Sequence, residues 1–432
     1  MKNSLKYIAV MIMGALLISI SYFTLRYESS FLIGQFILLF ALYLFLTYQK
    51  NKFSLKEIIL VGILFRLILL ILMPNLSEDV YRFLWDGKLW WEGIDAYAWL
   101  PSEIAKENIL SSELFAQLNS PNYYSIYPPI NQLIFAIAGI FENTTFGIIA
   151  IRLFIILAEL GTLILLPKVL MHYEKNSKLL IFYAFNPLVI LELAGNLHFE
   201  AFVIFFLLWA VYEFEKRKVY KSALGIGLAI SFKLVPIILL ASFFKKFALR
   251  QYVKFVMLAS LVAMLSFLPF LFSDAVKGII TSTSLYFQSF EFNASIYYLI
   301  REIGFAVKGY NIIATSGPLM GIFAFSGMAI FNLLASSKMN LPERMLWTYV
   351  IYFLFATTVH PWYVLPILVL GILSDYKFPV LWTITIFFTY WGYSQTGYQE
   401  HLWIVVVEYI SLLAFFVFEL IQKSKNWKKL YA

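Results

Sequence analysis

The sequence predicts an all-α polytopic membrane protein: about twelve to fourteen transmembrane helices, with a long first outer loop carrying interfacial amphipathic helices. Three observations carry this. The chain of 432 residues is 61% hydrophobic and 13% charged, with 43 Phe, 28 Tyr and 11 Trp, which leaves too little polar surface to cover a fold of this size in water. Apolar runs of about 16 to 25 residues recur along the chain, each near the length that crosses a ~30 Å hydrocarbon core as a helix. One long polar excursion, 75–130, interrupts them. Residues 1–432 read as a single integral membrane domain.

The first three spans are 7–25, 31–48 and 58–73. Lys2 and Lys6 precede the first, and Lys50, Lys52 and Lys56 lie between the second and third, so the amino terminus is expected in the cytoplasm. The first run lacks a small-residue cleavage site and reads as a retained helix. The third span then leaves the membrane on the other side, through Pro74 and Asn75, into "SEDVYRFLWDGK" at 77–88, which packs five formal charges into twelve residues. Trp85, Trp90, Trp91, Tyr97 and Trp99 follow, an interfacial composition. Val80, Phe83, Leu84, Gly87 and Trp91 recur at helical spacing, which predicts an amphipathic helix along the membrane surface with its charged face toward water or headgroups.

The run 130–141 is too short to cross and reads as half-buried or re-entrant, whereas 146–171 is long enough. Charge parity agrees: two full crossings would place Lys168, Lys175 and Lys178, and then Lys216, Arg217, Lys218 and Lys221, on the outside. Residues 222–244 look like one span with Lys233 near the centre, yet basic clusters flank both ends. A helical hairpin resolves this, with Lys233 at its outer tip and Pro236 breaking the helix. Spans 252–273, 312–335, 345–359, 361–373, 378–394 and 402–421 then alternate, and Lys423, Lys425, Lys428 and Lys429 end the chain inside.

On this map the unusual polar residues gather on the non-cytoplasmic side: Glu78, Asp79, Arg82 and Asp86; Asn196, His198 and Glu200 in "ELAGNLHFEA"; Lys233; and His360 in "HPWY". Ionisable groups near membrane depth are costly unless they pair or line a wet cavity, so a one-sided cluster marks a functional site. Arg66, Arg152 and Glu159, within spans, read as helix-to-helix pairs. The absence of cysteine removes thiolate and Cys-metal chemistry. The net charge of +8 comes from clusters between apolar runs, which topology explains without nucleic acid.

The motifs "SEDVYRFLWDGKLWWEGIDAYAW", "YPPINQLIFA" with Tyr127, "NPLVILELAGNLHFEA", "SFKLVP" and "HPWY", in this order between Ser77 and Tyr363, resemble those of the GT-C membrane glycosyltransferases. The closest likeness is to the bacterial polyprenyl-phosphate-mannose-dependent mannosyltransferases. The resemblance implies that Asp79 is the catalytic carboxylate, that Arg82 matches an arginine three residues on, and that His198-Phe199-Glu200 stands where the family more often has His-Asn-Asp.

Sugar transfer from a lipid phosphate to a hydroxyl needs a carboxylate base, here Asp79, with Glu200 and Asp86 as further candidates, and attack opposite the phosphate inverts the anomeric carbon. Charge growing on the departing phosphate calls for fixed cations. Arg82, holding two oxygens at once, and Lys233, as a point charge, supply them, and His198 adds a hydrogen bond. Glu78, Tyr127, Asn196 and His360 complete the candidate site. With no P-loop, no G-x-G-x-x-G opening a helix and no soluble nucleotide-sugar domain, the donor is expected to be lipid-linked. The partners expected are therefore a polyprenyl-phosphate sugar, a glycan or glycolipid acceptor, and membrane lipid. No cofactor or tightly bound metal is expected from four unpaired histidines, although Glu78 and Asp79 suit a divalent cation shared with the phosphate. A transporter or flippase of lipid-linked sugars is the alternative class, and it calls for matched broken helices in repeated halves.

Overall fold

The structure, a computed structural model, describes residues 4–270 and 275–430. Lys2 and the last residues of the expected span 252–273 lie outside the described residues. The chain is almost wholly helical; the strands among the described residues are a two-residue antiparallel pair, Tyr393–Ser394 with Gly397–Tyr398. Its first eight long helices are α1 (Ser4–Ile18), α2 (Ser29–Tyr48), α3 (Leu55–Leu67), α4 (Asp79–Trp91), α5 (Pro129–Gly139), α6 (Thr144–His172), α7 (Glu200–Glu215) and α8 (Val219–Phe232).

Five helices among the described residues are long and apolar enough to cross a membrane: Leu5–Phe23, Ser29–Tyr48, Thr144–His172, Ile313–Leu334 and Leu402–Lys423. The pair Ser177–Ala184 and Pro187–Gly195, bent by 59°, makes a sixth when taken as one span. This is a polytopic membrane protein. The expected twelve to fourteen crossings exceed what single helices supply, because α5, α8, Pro361–Ser374 and Phe378–Gly392 are apolar but shorter than a bilayer is thick.

Buried polar groups explain where several spans stop short. α3 ends at Leu67 instead of running to 73, and the freed carbonyls are met from elsewhere: Tyr22 donates to Ile68 O at 2.8 Å and Arg152 Nη1 to Leu70 O at 2.8 Å. Arg152 Nε also donates to Ala194 O at 2.6 Å, so one guanidinium closes two interrupted helices. Arg66 pairs with Glu159 at 2.6 Å, and Tyr183 also donates to that carboxylate. Asn186 opens the bent helix by accepting from Leu188 N at 3.0 Å, ahead of Pro187.

Two close approaches position the site. A Cβ on Gly87 would lie 2.0 Å from Phe135 O, and one on Gly139 would lie 2.2 Å from Gly87 O, so α4 and α5 touch backbone to backbone. α4 therefore packs into the protein, and its polar face differs from the expected solvated one: Arg82 and Asp86 are buried. Residues 120–125 fold over that face and supply polar partners there, which is what makes its burial tolerable. α7 and α8 pack closely where a Cβ on Gly225 would sit 3.0 Å from Ala210. α8 ends at Phe232, Lys233 is extended (φ −148°, ψ 139°), and a 3₁₀ segment, Val235–Lys246, carries Pro236 at its start, where a missing N–H costs nothing.

Candidate functional site

A cavity of about 550 Å³ opens where the ends of these elements meet. The start of α4 contributes Glu78, Asp79 and Arg82; the turn before α7 contributes His198 and Glu200; the break after α8 contributes Lys233. Tyr127 and His360 complete its walls, so eight of the ten residues singled out from sequence share one space. Asp86 and Asn196 do not line it. Asn196 donates to Glu192 Oε2 at 3.1 Å. Asp86 stands behind Arg82 and faces a smaller cavity of about 250 Å³ beside Trp90 and Tyr97.

Asp79 is the first residue of α4 and half-buried, and Asn119 Nδ2 donates to its Oδ1 at 3.1 Å. Burial and the Asp79 carboxylate push the Tyr127 phenol well above its ordinary value, so it stays protonated and able to donate. A carboxylate at a helix start, with a neighbouring donor, is held in a defined orientation and can accept a proton from a hydroxyl brought into the cavity.

Arg82 is anchored more fully than a free clamp. Nε donates to Asp86 Oδ1 at 2.7 Å, and Nη1 donates to Ser120 O at 3.2 Å and to Tyr123 O at 2.8 Å. Asp86 in turn accepts from Ser125 Oγ at 2.6 Å and Gln132 Nε2 at 3.0 Å. Nε and Nη1 are thus both engaged, so neither edge that could grip two phosphate oxygens, Nε with Nη2 or Nη1 with Nη2, is wholly free, and Nη2 is the nitrogen left for a ligand among the described residues. Asp86 orients Arg82.

Lys233 pairs with Glu200 and lies over the Tyr363 ring, 5.0 Å from its centroid. Glu200 is buried at the first position of α7, where the helix dipole favours an anion, and its Oε2 has no hydrogen-bond partner among the described residues. Glu78 pairs with Arg26, whose guanidinium lies 4.2 Å from the Tyr393 centroid. Among the described residues, no three His, Asp or Glu side chains converge in a way that could hold a metal ion.

Aromatic rings form the remaining wall. Trp362 stacks on His198 at 3.6 Å and on His360 at 4.6 Å, and Phe292 lies 4.6 Å from His360. Burial, with Lys233 and His198 nearby, pushes His360 down to about 3, so it stays neutral at ordinary pH. Sequence reasoning missed Arg26, Asn119 and Glu192. Arg26 was findable, since it follows the first span on the side that parity gives Asp79.

The pattern of membrane-length helices, together with the family comparison, supports a GT-C-like membrane glycosyltransferase. Residues 5–248, more than half of the chain, match the family model described as "Alpha-(1->6)-mannopyranosyltransferase, N-terminal domain". The chain belongs to that family, a GT-C-related group. The match includes every site residue from Glu78 to Lys233, while His360 and the wall from Phe290 onward lie beyond it. No curated protein and no solved structure matches the chain.

Proposed function

We propose that the protein moves a hexose, mannose on the family's evidence, from a polyprenyl-phosphate donor to a hydroxyl of a glycan or glycolipid acceptor. The observation that carries this is the convergence of Asp79, Arg82 and Lys233 on one cavity. Asp79 orients the acceptor hydroxyl and takes its proton as the new glycosidic bond forms. The bond from the anomeric carbon to the phosphate oxygen breaks on the opposite face, so configuration inverts and the phosphate leaves with the bonding pair. Arg82, through Nη2, and Lys233 stabilise that charge in a site shielded from bulk water. Glu200 balances Lys233 while the site is empty, and phosphate competes with it for the ammonium.

In this reading 75–130 is the catalytic loop, 222–244 is the hairpin that presents Lys233, both termini are cytoplasmic, and the cavity faces the periplasm or exterior of an inner, or plasma, membrane. Exposed Leu234 and Ile237 beside Lys233 suit a polyprenyl tail lying against the hairpin. The test uses membranes containing the protein, radiolabelled polyprenyl-phosphate mannose and an extract of glycan and glycolipid acceptors. Label should enter the acceptor fraction; label that only changes leaflet supports a transporter instead. Asp79→Cys and Lys233→Cys, placed singly in this cysteine-free chain, should both react with an impermeant reagent added outside sealed cells. Labelling from opposite sides would rule out the hairpin.

A further inference from the structure

The turn that delivers His198 to the cavity contains a second, unassigned acid. Glu192 lies in a π-helical stretch, Ile190–Gly195, and is fully buried. Its Oε1 accepts from Tyr390 Oη at 2.8 Å and its Oε2 from Asn196 Nδ2 at 3.1 Å. The chain then reverses sharply. Leu197 is buried and left-handed at φ 65°, a conformation that a branched apolar residue adopts at a cost, and His198 N donates back to Glu192 O at 3.2 Å. The reversal brings His198 Nε2 to 3.3 Å from Glu192 Oε2.

Nε2 is buried and makes no hydrogen bond among the described residues, so the Glu192 contact is a close charge-to-ring approach and not a formed hydrogen bond. A lone pair on Nε2 would be repelled by the carboxylate oxygen 3.3 Å away, whereas the positive end of an N–H there is attracted to it. The geometry points to Glu192 as a positioning residue that fixes the proton of the His198 imidazole on Nε2 and turns a bare Nδ1 toward the cavity as a hydrogen-bond acceptor for a sugar hydroxyl. The Trp362 ring, stacked at 3.6 Å, blocks the rotation that would exchange the two nitrogens. A bare Nδ1 cannot donate to a phosphate oxygen, so the role is recognition of the sugar, with the phosphate left to Arg82 and Lys233. This rests on the sugar-transfer reading of the cavity, but the proton's position does not.

The experiment is ¹⁵N NMR of the histidine side chains in the full-length protein in lipid nanodiscs at pH 7.5, with His198→Asn identifying the His198 signals among the four histidines. Wild type should show a protonated Nε2 and a bare Nδ1. Glu192→Gln, of the same shape, can present either an oxygen or an NH₂ to the ring, so His198 should become a mixture of both tautomers and transfer kcat/KM should fall by roughly tenfold or more. His198→Asn, whose amide oxygen reaches close to the Nδ1 position, should retain more transfer than His198→Ala. A protonated Nδ1 in wild type overturns the assignment, as does Glu192→Gln with an unchanged tautomer and rate. A protein that transfers no sugar but loses its single tautomer in Glu192→Gln upholds the assignment and rejects the reading of the cavity. Should Glu192→Gln fail to fold, the wild-type spectrum alone decides.

Discussion

Replacing Lys233 by alanine separates its proposed work on phosphate from its contribution to the fold. Its partner Glu200 keeps only 3% of its side-chain exposure, against 23% for Lys233, and already has one oxygen without a partner. Removing the ammonium strands a buried carboxylate, which typically costs about 3–5 kcal/mol. The partial exposure of Lys233 and the α7 dipole, about 0.3–1 kcal/mol in favour of an anion, place this case near the lower end. Lys233→Ala alone should therefore lose roughly 3 kcal/mol of stability. Adding Glu200→Gln removes the stranded charge and should recover most of that loss. Donor binding should not recover. A lost hydrogen bond from a charged donor is worth about 1.5–3 kcal/mol, or roughly 10- to 100-fold in affinity, in both the single and the double variant. The assay is chemical denaturation and polyprenyl-phosphate-sugar binding, measured on the same nanodisc preparations. Near-normal donor affinity in the stable double variant would refute the phosphate role and make the pair a structural feature of the hairpin.

Other outcomes follow from the same geometry. Gly87→Ala places a methyl 2.0 Å from Phe135 O, so α4 and α5 must separate; stability should fall by about 1–3 kcal/mol and donor binding should weaken with it, measured by denaturation and binding. Asp86→Asn keeps the shape behind Arg82 but removes its counter-charge, and should lower turnover less than Arg82→Ala in a rate comparison. His360 has a depressed folded value, so the unfolded chain binds its proton first; its contribution is intact above about pH 6.5 and is lost as pH falls toward 3. Wild type should therefore lose more stability between pH 7.5 and 5 than His360→Gln, read from paired denaturation midpoints.

What sequence made legible was set by local rules. Pro236 and basic clusters on both flanks forced a break near Lys233, and α8 stops one residue before it. Charge density after the third span pointed to Asp79 and Arg82, and both reach the cavity. What it hid depends on contacts distant in the chain. Nothing local ends α3 at Leu67; Arg152, 82 residues after Leu70, supplies the donor that makes unwinding tolerable there. Arg82 and Asp86 read as a solvated helical pair, because the carbonyls of Ser120 and Tyr123 that cover them come from a segment with no sequence pattern of its own. Glu192 was hidden inside an apolar motif, and only the left-handed turn at Leu197 shows that it faces His198. The expected crossings outnumber the five or six membrane-length helices among the described residues for a related reason: apolar runs measure total hydrophobic length, and Asn186, Lys233 and the α3 end divide that length at points fixed by buried partners.

The most direct test of the central claim is single-turnover transfer from radiolabelled polyprenyl-phosphate mannose by purified wild type and Asp79→Asn, with donor binding measured alongside. Asparagine keeps the shape and the oxygen that accepts from Asn119 but removes the basicity, so transfer should fall by roughly 10²–10⁴ while donor affinity stays within about twofold. Wild-type product should carry the anomeric configuration opposite to the donor. Transfer by Asp79→Asn at the wild-type rate, or product of retained configuration, would contradict the account.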